Sequence, residues 1–113
     1  MVHTGAMYKC VVYIPTAAKE AVKEALFAAG AGSQGAYLRC AWECPGVGQF
    51  MPVAGATPAI GELDQLERVE EWRVEVLLAG AVWPQVKAAL LATHPYASPA
   101  YELIELAASG ASD

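Results

Sequence analysis

The chain has 113 residues, of which 56% are hydrophobic and 17% charged, and its formal net charge is -5. This length predicts one domain with one hydrophobic core, and this composition excludes a disordered chain. Because 7 Lys and Arg stand against 12 Asp and Glu, a surface that neutralises nucleic-acid phosphates is not predicted.

The compartment is also predicted from composition. The sequence has no run of about 18 apolar residues, and its first residues lack the basic and apolar regions of a signal peptide. Cys10, Cys40 and Cys44 are typical of reduced thiols rather than of a disulfide framework. We therefore expect a cytoplasmic protein without membrane association.

The first half of the chain predicts a strand, a helix and a second strand. Residues 8–14 are β-branched and aromatic and stop at Pro15, which indicates a central strand. Thr16 is suited to begin a helix that continues to residue 29 and ends at Gly30. Polar and apolar residues then alternate over 37–44, which predicts a half-buried strand.

A long loop, two strands and a helix are predicted for the second half. Residues 45–66 are rich in Gly and Pro and show neither helical nor strand periodicity, which indicates a structured loop. Alternation returns over 71–78, and this strand is expected to pair antiparallel with the preceding one. A helix over 82–93, with Pro84 in its first turn, is followed by a last strand over 100–106.

This order predicts an α+β, ferredoxin-like β-α-β-β-α-β domain over residues 7–107, with two helices on one face of an antiparallel sheet. Residues 1–6 and 108–113 are expected to be flexible. The other face of the sheet is either open or packed on another subunit through paired charges, and the pattern leaves both outcomes open. We place five residues on that face: Arg39, Glu43, Glu71, Arg73 and Glu75.

Cysteine and histidine side chains raise the hypothesis of a divalent metal ion. Four residues along a strand separate Cys40 from Cys44 by about 13 Å, which is too far for one ion or a disulfide, so buried structural thiols are favoured. His94 is suited to the C-terminal end of a helix, where it offsets the helix dipole. The alternative for His94 is metal ligation, possible only with further ligands from a carboxylate or thiol.

An active site is not predicted from the sequence. No Ser-His-Asp or Cys-His arrangement can be assembled, and the segment around Gly46 and Gly48 lacks the Lys and Ser or Thr of a phosphate loop. We therefore predict that the protein is not an enzyme; catalysis at a subunit interface is the least supported alternative. Long ordered loops often carry binding, so the segment 45–61 is predicted to bind a small ligand or a partner.

Several motifs occur in a characteristic order from Met7 to Leu106. They are Met7-Tyr8-Lys9, Gly30-Ala31-Gly32, Gly35-x-Tyr37, Gly46-x-Gly48-x-Phe50-x-Pro52, Gly55-Ala56-x-Pro58-x-Ile60-Gly61 and His94-Pro95-Tyr96-x-x-Pro99-Ala100-Tyr101. In this order the chain resembles the YqfO-type domain of Nif-three-like proteins, here without the flanking halves that hold their metal ligands. In architecture it is similar to CutA and PII proteins.

The resemblance implies a small oligomeric regulatory module, with a trimer favoured and a dimer possible. The ligand or partner site would combine the glycine-rich loop 45–61 with the 94–101 turn of the same or a neighbouring subunit. The alternative function is divalent metal binding or homeostasis. Ala97 and Ser98 replace an acidic pair at that turn, which weakens a cation site there. The expected binding residues are Gly46, Gly48, Phe50, Pro52, Gly55, Pro58, Gly61, Tyr96 and Tyr101, with His94 as the expected metal ligand.

Overall fold

Four strands and two helices form the part of the chain that the computed structural model describes, residues 2–107. The strands are β1 (Met7–Pro15), β2 (Trp42–Phe50), β3 (Glu67–Ala79) and β4 (Tyr101–Glu105). The helices are α1 (Lys19–Ala28) and α2 (Trp83–Thr93), each entered through a short 3-10 turn. The predicted order of elements is confirmed.

The sheet has the strand order β2-β3-β1-β4, and every neighbouring pair is antiparallel. In the register, Val12 lies opposite Val74, and Cys10 lies opposite both Val76 and Leu103. This is the ferredoxin-like arrangement, in which consecutive β-α-β units place both helices on one face. The predicted fold class is confirmed.

The core lies between that face and the two helices. Alternate residues of β1 and β3 point into it, because successive side chains of a strand lie on opposite faces. Each helix contributes residues spaced by one turn. The residues buried in this cluster include Cys10, Val12, Ile14, Val22, Leu26, Val74, Val76, Leu78, Val86 and Leu90.

The second strand lies later in the chain than its alternation predicts. Residues 37–41 form an irregular segment before β2, in which Arg39 has a positive φ of 61°, and β2 runs through Pro45, Gly46 and Gly48. The prediction of a loop over 45–50 was therefore wrong. Because β2 is an edge strand, half of its backbone N–H groups need no partner in the sheet, so proline is tolerated there.

His3 and Ala6 are hydrogen-bonded to the rest of the domain. The His3 backbone N–H donates to the Tyr8 hydroxyl at 2.7 Å, and the Gly80 N–H donates to the Ala6 carbonyl at 2.8 Å. The flexible extension expected for residues 1–6 stays a prediction. The flexible tail expected for residues 108–113 lies outside the described residues.

Glu43 was predicted to lie on the open face of the sheet. It lies instead on the face that the helices cover, where it forms an ion pair. It lies opposite Val74, and its carboxylate accepts from Lys19 Nζ at 2.5 Å and Lys23 Nζ at 2.6 Å. Lys19 also lies 3.7 Å from the centre of the Trp72 ring, a cation–π contact. Hydrogen bonds from both lysines hold the pKa of Glu43 below its ordinary value of 4.5.

Replacing Glu43 by glutamine should lower the free energy of unfolding by about 1 kcal/mol at neutral pH, since charged hydrogen bonds are lost. A depressed carboxylate pKa stabilises the fold above the unfolded pKa, and that stabilisation disappears as pH falls through the folded pKa. The difference between wild type and Glu43→Gln should therefore shrink in acid, as measured by urea unfolding at pH values on either side of 4.5.

Glu20→Gln is the matched control, because Glu20 contacts the same two lysines at 3.4 Å from a side chain that is 68% exposed. It should change stability little, since exposed ion pairs contribute little. Equal losses in the two variants would contradict a special role for Glu43.

Candidate functional site

A cleft of about 580 Å³ lies between the loop that follows β2 and the segment that follows α2. Strands β1, β2 and β3 contribute Tyr13, Gly48 and Glu71 to it, from the face of the sheet that the helices leave uncovered. The remaining lining residues are Gln49, Phe50, Met51, Pro52, Gly55, Ala56, Thr57, Pro58, Ala59, Ile60, Tyr96, Ala97, Ser98 and Ala100.

The floor of the cleft depends on the missing side chain of Gly48. The Glu71 carboxylate lies directly above this glycine: a Cβ added there would be 2.1 Å from Glu71 Oε1. At Gly46, two residues earlier on the same face, an added Cβ would meet nothing within 4 Å. Gly48 therefore creates the space that the carboxylate occupies.

Tyr96 connects the two walls. Its hydroxyl donates to Glu71 Oε2 at 2.8 Å, and its ring meets the Phe50 ring edge to face, with the centroids 5.9 Å apart. Burial, together with the hydrogen bond to Glu71, raises the pKa of the Tyr96 hydroxyl. Tyr96 is therefore a neutral hydrogen-bond donor at physiological pH.

His94 is a buried positioning residue for that tyrosine. Its Nδ1 accepts from the Tyr96 backbone N–H at 3.1 Å, so its Nε2–H donates to the Tyr13 carbonyl, at 2.8 Å. Both ring nitrogens are thus engaged with backbone, and a metal ion at His94 would have to break one of these bonds. The geometry does not favour the predicted metal ligation.

The other predicted metal donors are also dispersed. Within residues 2–107, no three His, Cys, Asp or Glu side chains come together as a group that could hold a metal ion. Cys10, Cys40 and Cys44 are free thiols, and burial raises the pKa of Cys10 to about 12. The prediction of buried thiols applies to Cys10 only, because Cys40 and Cys44 are half-buried.

The structure brings together most of the predicted binding residues. Six of them line the cleft: Gly48, Phe50, Pro52, Gly55, Pro58 and Tyr96. Three do not. Gly46 stands in open space, Gly61 packs beneath the Glu67 side chain, and Tyr101 packs on Trp83 with the ring centroids 6.0 Å apart.

Sequence reasoning missed Tyr13 and Glu71 as lining residues. Glu71 was placed on the open face, but as one of the charges of that face rather than as part of a binding site. The alternation of side chains along a strand could have indicated this role, because Gly46, Gly48 and Glu71 lie on the same face of the sheet, the one over which the loop folds. That signal does not reveal the path of the loop.

Lys9, Arg73 and Glu75 on the same face are paired with one another. Glu75 contacts Lys9 Nζ at 3.2 Å and Arg73 Nε at 2.9 Å, and Arg73 Nη1 donates to the Tyr13 hydroxyl at 3.0 Å. The hydrogen bond from Arg73 is the main cause that lowers the pKa of Glu75. These pairs lie beside the cleft and leave Glu71 outside their network.

Among the helices of residues 2–107, none is both long and apolar enough to cross a membrane.

No family model matches the sequence. Relatives are found among proteins called GTP cyclohydrolase 1 type 2 homolog. The one from Mycobacterium tuberculosis is 46% identical over 98 residues, which are 87% of this chain and 26% of that protein. The one from Halalkalibacterium halodurans is 41% identical over 107 residues, 95% of this chain and 29% of that protein.

Solved structures extend the comparison. A Bacillus cereus protein related to NIF3 superposes with a TM-score of 0.81 at 36% identity, covering 96% of this chain and 28% of that one. CutA from Archaeoglobus fulgidus, a divalent cation tolerance protein, gives a TM-score of 0.63 at 15% identity, covering 91% and 86%. Bacillus subtilis GlnK in its ATP complex gives 0.61 at 16% identity, covering 92% and 84%.

The chain therefore spans little more than a quarter of the curated relatives it matches. The low identities to CutA and GlnK show a shared fold. The resemblance stated from the motifs is confirmed: this protein is similar over nearly its whole length to one domain of the Nif3-related proteins, and that domain has the fold of CutA and GlnK.

Proposed function

We propose that this protein is a small binding or regulatory module whose cleft between the glycine-rich loop and the turn after α2 takes a small ligand or a partner segment. The size and the lining of the cleft support this proposal. The cleft has a volume of about 580 Å³ and is lined mostly by apolar and aromatic side chains, with a few polar groups. Sites for small molecules have this size and composition.

A role without catalysis is part of the proposal. The polar groups nearest the cleft floor, Glu71 and Tyr96, are hydrogen-bonded to each other, and the histidine behind them is engaged with backbone. The reaction named for the longer relatives is not proposed for this chain, which spans little more than a quarter of their length. Three free thiols support the cytoplasm as its compartment.

We also propose that the protein forms a homo-oligomer, with a trimer favoured over a dimer. Edge strand β2 supports association, because its Trp42 and Val47 side chains are 56% and 71% exposed. The trimer is favoured by the resemblance to CutA and PII proteins. Light scattering in solution gives the mass that distinguishes these states, and a monomer at all concentrations would contradict the proposal.

Binding at the cleft can be tested with a fragment library of mixed charge and the isotope-labelled protein. Fragments should shift backbone amide resonances of residues 48–60 and 96–100 and leave those of α1 unchanged. A library that shifts no cleft resonance, or shifts only resonances elsewhere, would remove the support for this site.

Gly48→Ala should weaken the binding of cleft fragments by roughly tenfold, which corresponds to about 1.4 kcal/mol. The new methyl group displaces the Glu71 carboxylate into the cleft and breaks its bond to Tyr96. Stability should fall by only about 1 kcal/mol, because the atom that must move is the end of a flexible side chain. Titrations followed by amide shifts give the affinities.

Gly46→Ala is the control for that variant. It adds the same methyl group to the same face of β2, but into open space. Its fragment affinities should equal those of wild type. Equal weakening in both variants would show that strand flexibility, rather than the cleft floor, controls binding.

A further inference from the structure

The charge distribution of the cleft restricts the ligand. Among the described residues that line it, Glu71 is the one carboxylate, and Lys, Arg and His are absent. A phosphate or carboxylate ligand would find no positive partner there and would meet a like charge. The formal charge of -5 on the whole chain also disfavours the binding of an anionic ligand.

Glu71 has no cationic partner, unlike Glu75 on the same face of the sheet. Within the described residues, the Glu75 carboxylate contacts Lys9 and Arg73 within 4.0 Å, whereas Glu71, like Glu70 and Glu102, contacts no Lys or Arg. Its partner is the neutral Tyr96 hydroxyl, which occupies Oε2, while Oε1 lies above the Gly48 backbone. A half-buried carboxylate without a counter-ion is thus held in place at the cleft floor.

Aromatic rings stand beside this carboxylate. Phe50 and Tyr96 present a T-shaped pair, and the faces of such rings attract cations. The third ring, Tyr13, already has the Arg73 guanidinium 5.8 Å from its centre, and Arg73 is itself paired with Glu75. Within the described residues, Phe50 and Tyr96 are therefore the aromatic rings of the cleft that carry no cation.

The rest of the lining is apolar. Met51, Pro52, Pro58 and Ile60 face the space opposite the sheet, and they offer a ligand surface contact without hydrogen bonds. A ligand that satisfies all of these groups has one positive charge beside Glu71 and the rings, and an apolar or aromatic body beneath the loop.

We propose that the cleft selects a small organic cation, an amine or quaternary ammonium that carries an apolar or aromatic body. The proposal rests on the function proposed above and names the chemistry of its ligand. A carboxylate next to aromatic rings recognises such a cation by charge pairing and by cation–π attraction together.

Three matched compounds test the charge preference on the wild-type protein: phenylbutylamine, phenylbutanol and phenylbutyrate. They share one aromatic body and differ in carrying a positive, a neutral or a negative end at pH 7. In amide-shift titrations, the amine should bind roughly tenfold more tightly than the alcohol, and the acid should bind most weakly. Added salt should reduce the difference between amine and alcohol.

Glu71→Gln separates the charge from the shape. The amide can still accept the Tyr96 hydrogen bond, so the fold should be kept, while the preference for phenylbutylamine over phenylbutanol should disappear. Glu20→Gln removes the same charge from helix α1, on the other side of the sheet, and should keep the preference for the amine. Thermal unfolding of each variant verifies that it is folded.

The outcomes separate this inference from the proposed function. If the alcohol binds wild type as tightly as the amine, or if Glu71→Gln keeps the preference, selection of a cation is wrong while binding at the cleft stands. If the three compounds fail to bind but other fragments shift the cleft resonances, the inference is also wrong. If no fragment shifts them, the proposed function fails as well.

Discussion

Leu90→Ala is expected to lower the free energy of unfolding by about 3 kcal/mol, a large part of the stability of a domain of this size. Leu90 lies on α2 and is fully buried against Val86 and the sheet. Its truncation removes apolar area from the core and leaves a cavity that a small antiparallel sheet with two helices cannot fill by collapse. Urea unfolding followed by tryptophan fluorescence measures the change.

Leu91→Ala is the matched control. The two leucines are neighbours on one helix, so the gain in helix propensity from alanine is the same, but the Leu91 side chain is 45% exposed. The loss for Leu91 should stay below about 1 kcal/mol. A loss as large as that of Leu90 would show that the exposed side of α2 is covered in solution, against the packing described for this helix.

Elements whose residue types agree with their burial could be predicted from the sequence. In β1, the residues from Val11 to Ile14 are all β-branched or aromatic, as is typical of a central strand with a neighbour on each side. In α2, Val86 and Leu90 repeat at one helical turn, and Pro84 stands where a helix begins. Local preference and tertiary position select the same structure in these segments.

The bounds of strand β2 could not be predicted, because the residue types in this part of the chain do not match the structure that they adopt. Tyr37, Leu38 and Trp42 have the residue types of a strand, yet the first two belong to the exposed segment before β2. Pro45, Gly46 and Gly48 have the residue types of a loop, yet they pair with β3. The neighbouring strand β3, which is 13 residues long, supplies the hydrogen bonds that these residues need.

The candidate site was predicted in part for a similar reason. The glycine-rich loop and the turn at Tyr96 could be identified by their composition and motifs, since both are segments of the sequence. Glu71 could not, because its role depends on contacts with Gly48 and Tyr96 that are distant in the chain. A residue that acts through such contacts shows no local pattern.

Gly32→Ala should lower the free energy of unfolding by about 2 to 3 kcal/mol. Gly32 has a positive φ of 82°, and its N–H donates to the Leu77 carbonyl while its own carbonyl accepts from the Cys40 N–H, both at 2.8 Å. These two hydrogen bonds connect the segment before β2 to strand β3. A Cβ there would lie 2.9 Å from the Phe27 ring and 3.0 Å from the Cys40 carbonyl oxygen.

Gly35→Ala separates the two causes of that loss. Gly35 also has a positive φ, 58°, but an added Cβ would meet nothing within 4 Å. It should therefore show the cost of the left-handed backbone alone, about 1 kcal/mol. The excess at Gly32 measures the close approach of Phe27 and Cys40, and equal losses at the two glycines would mean that this segment is free to move away from the helix. Because this segment leads directly into β2, its attachment also determines where the glycine-rich strand meets Glu71.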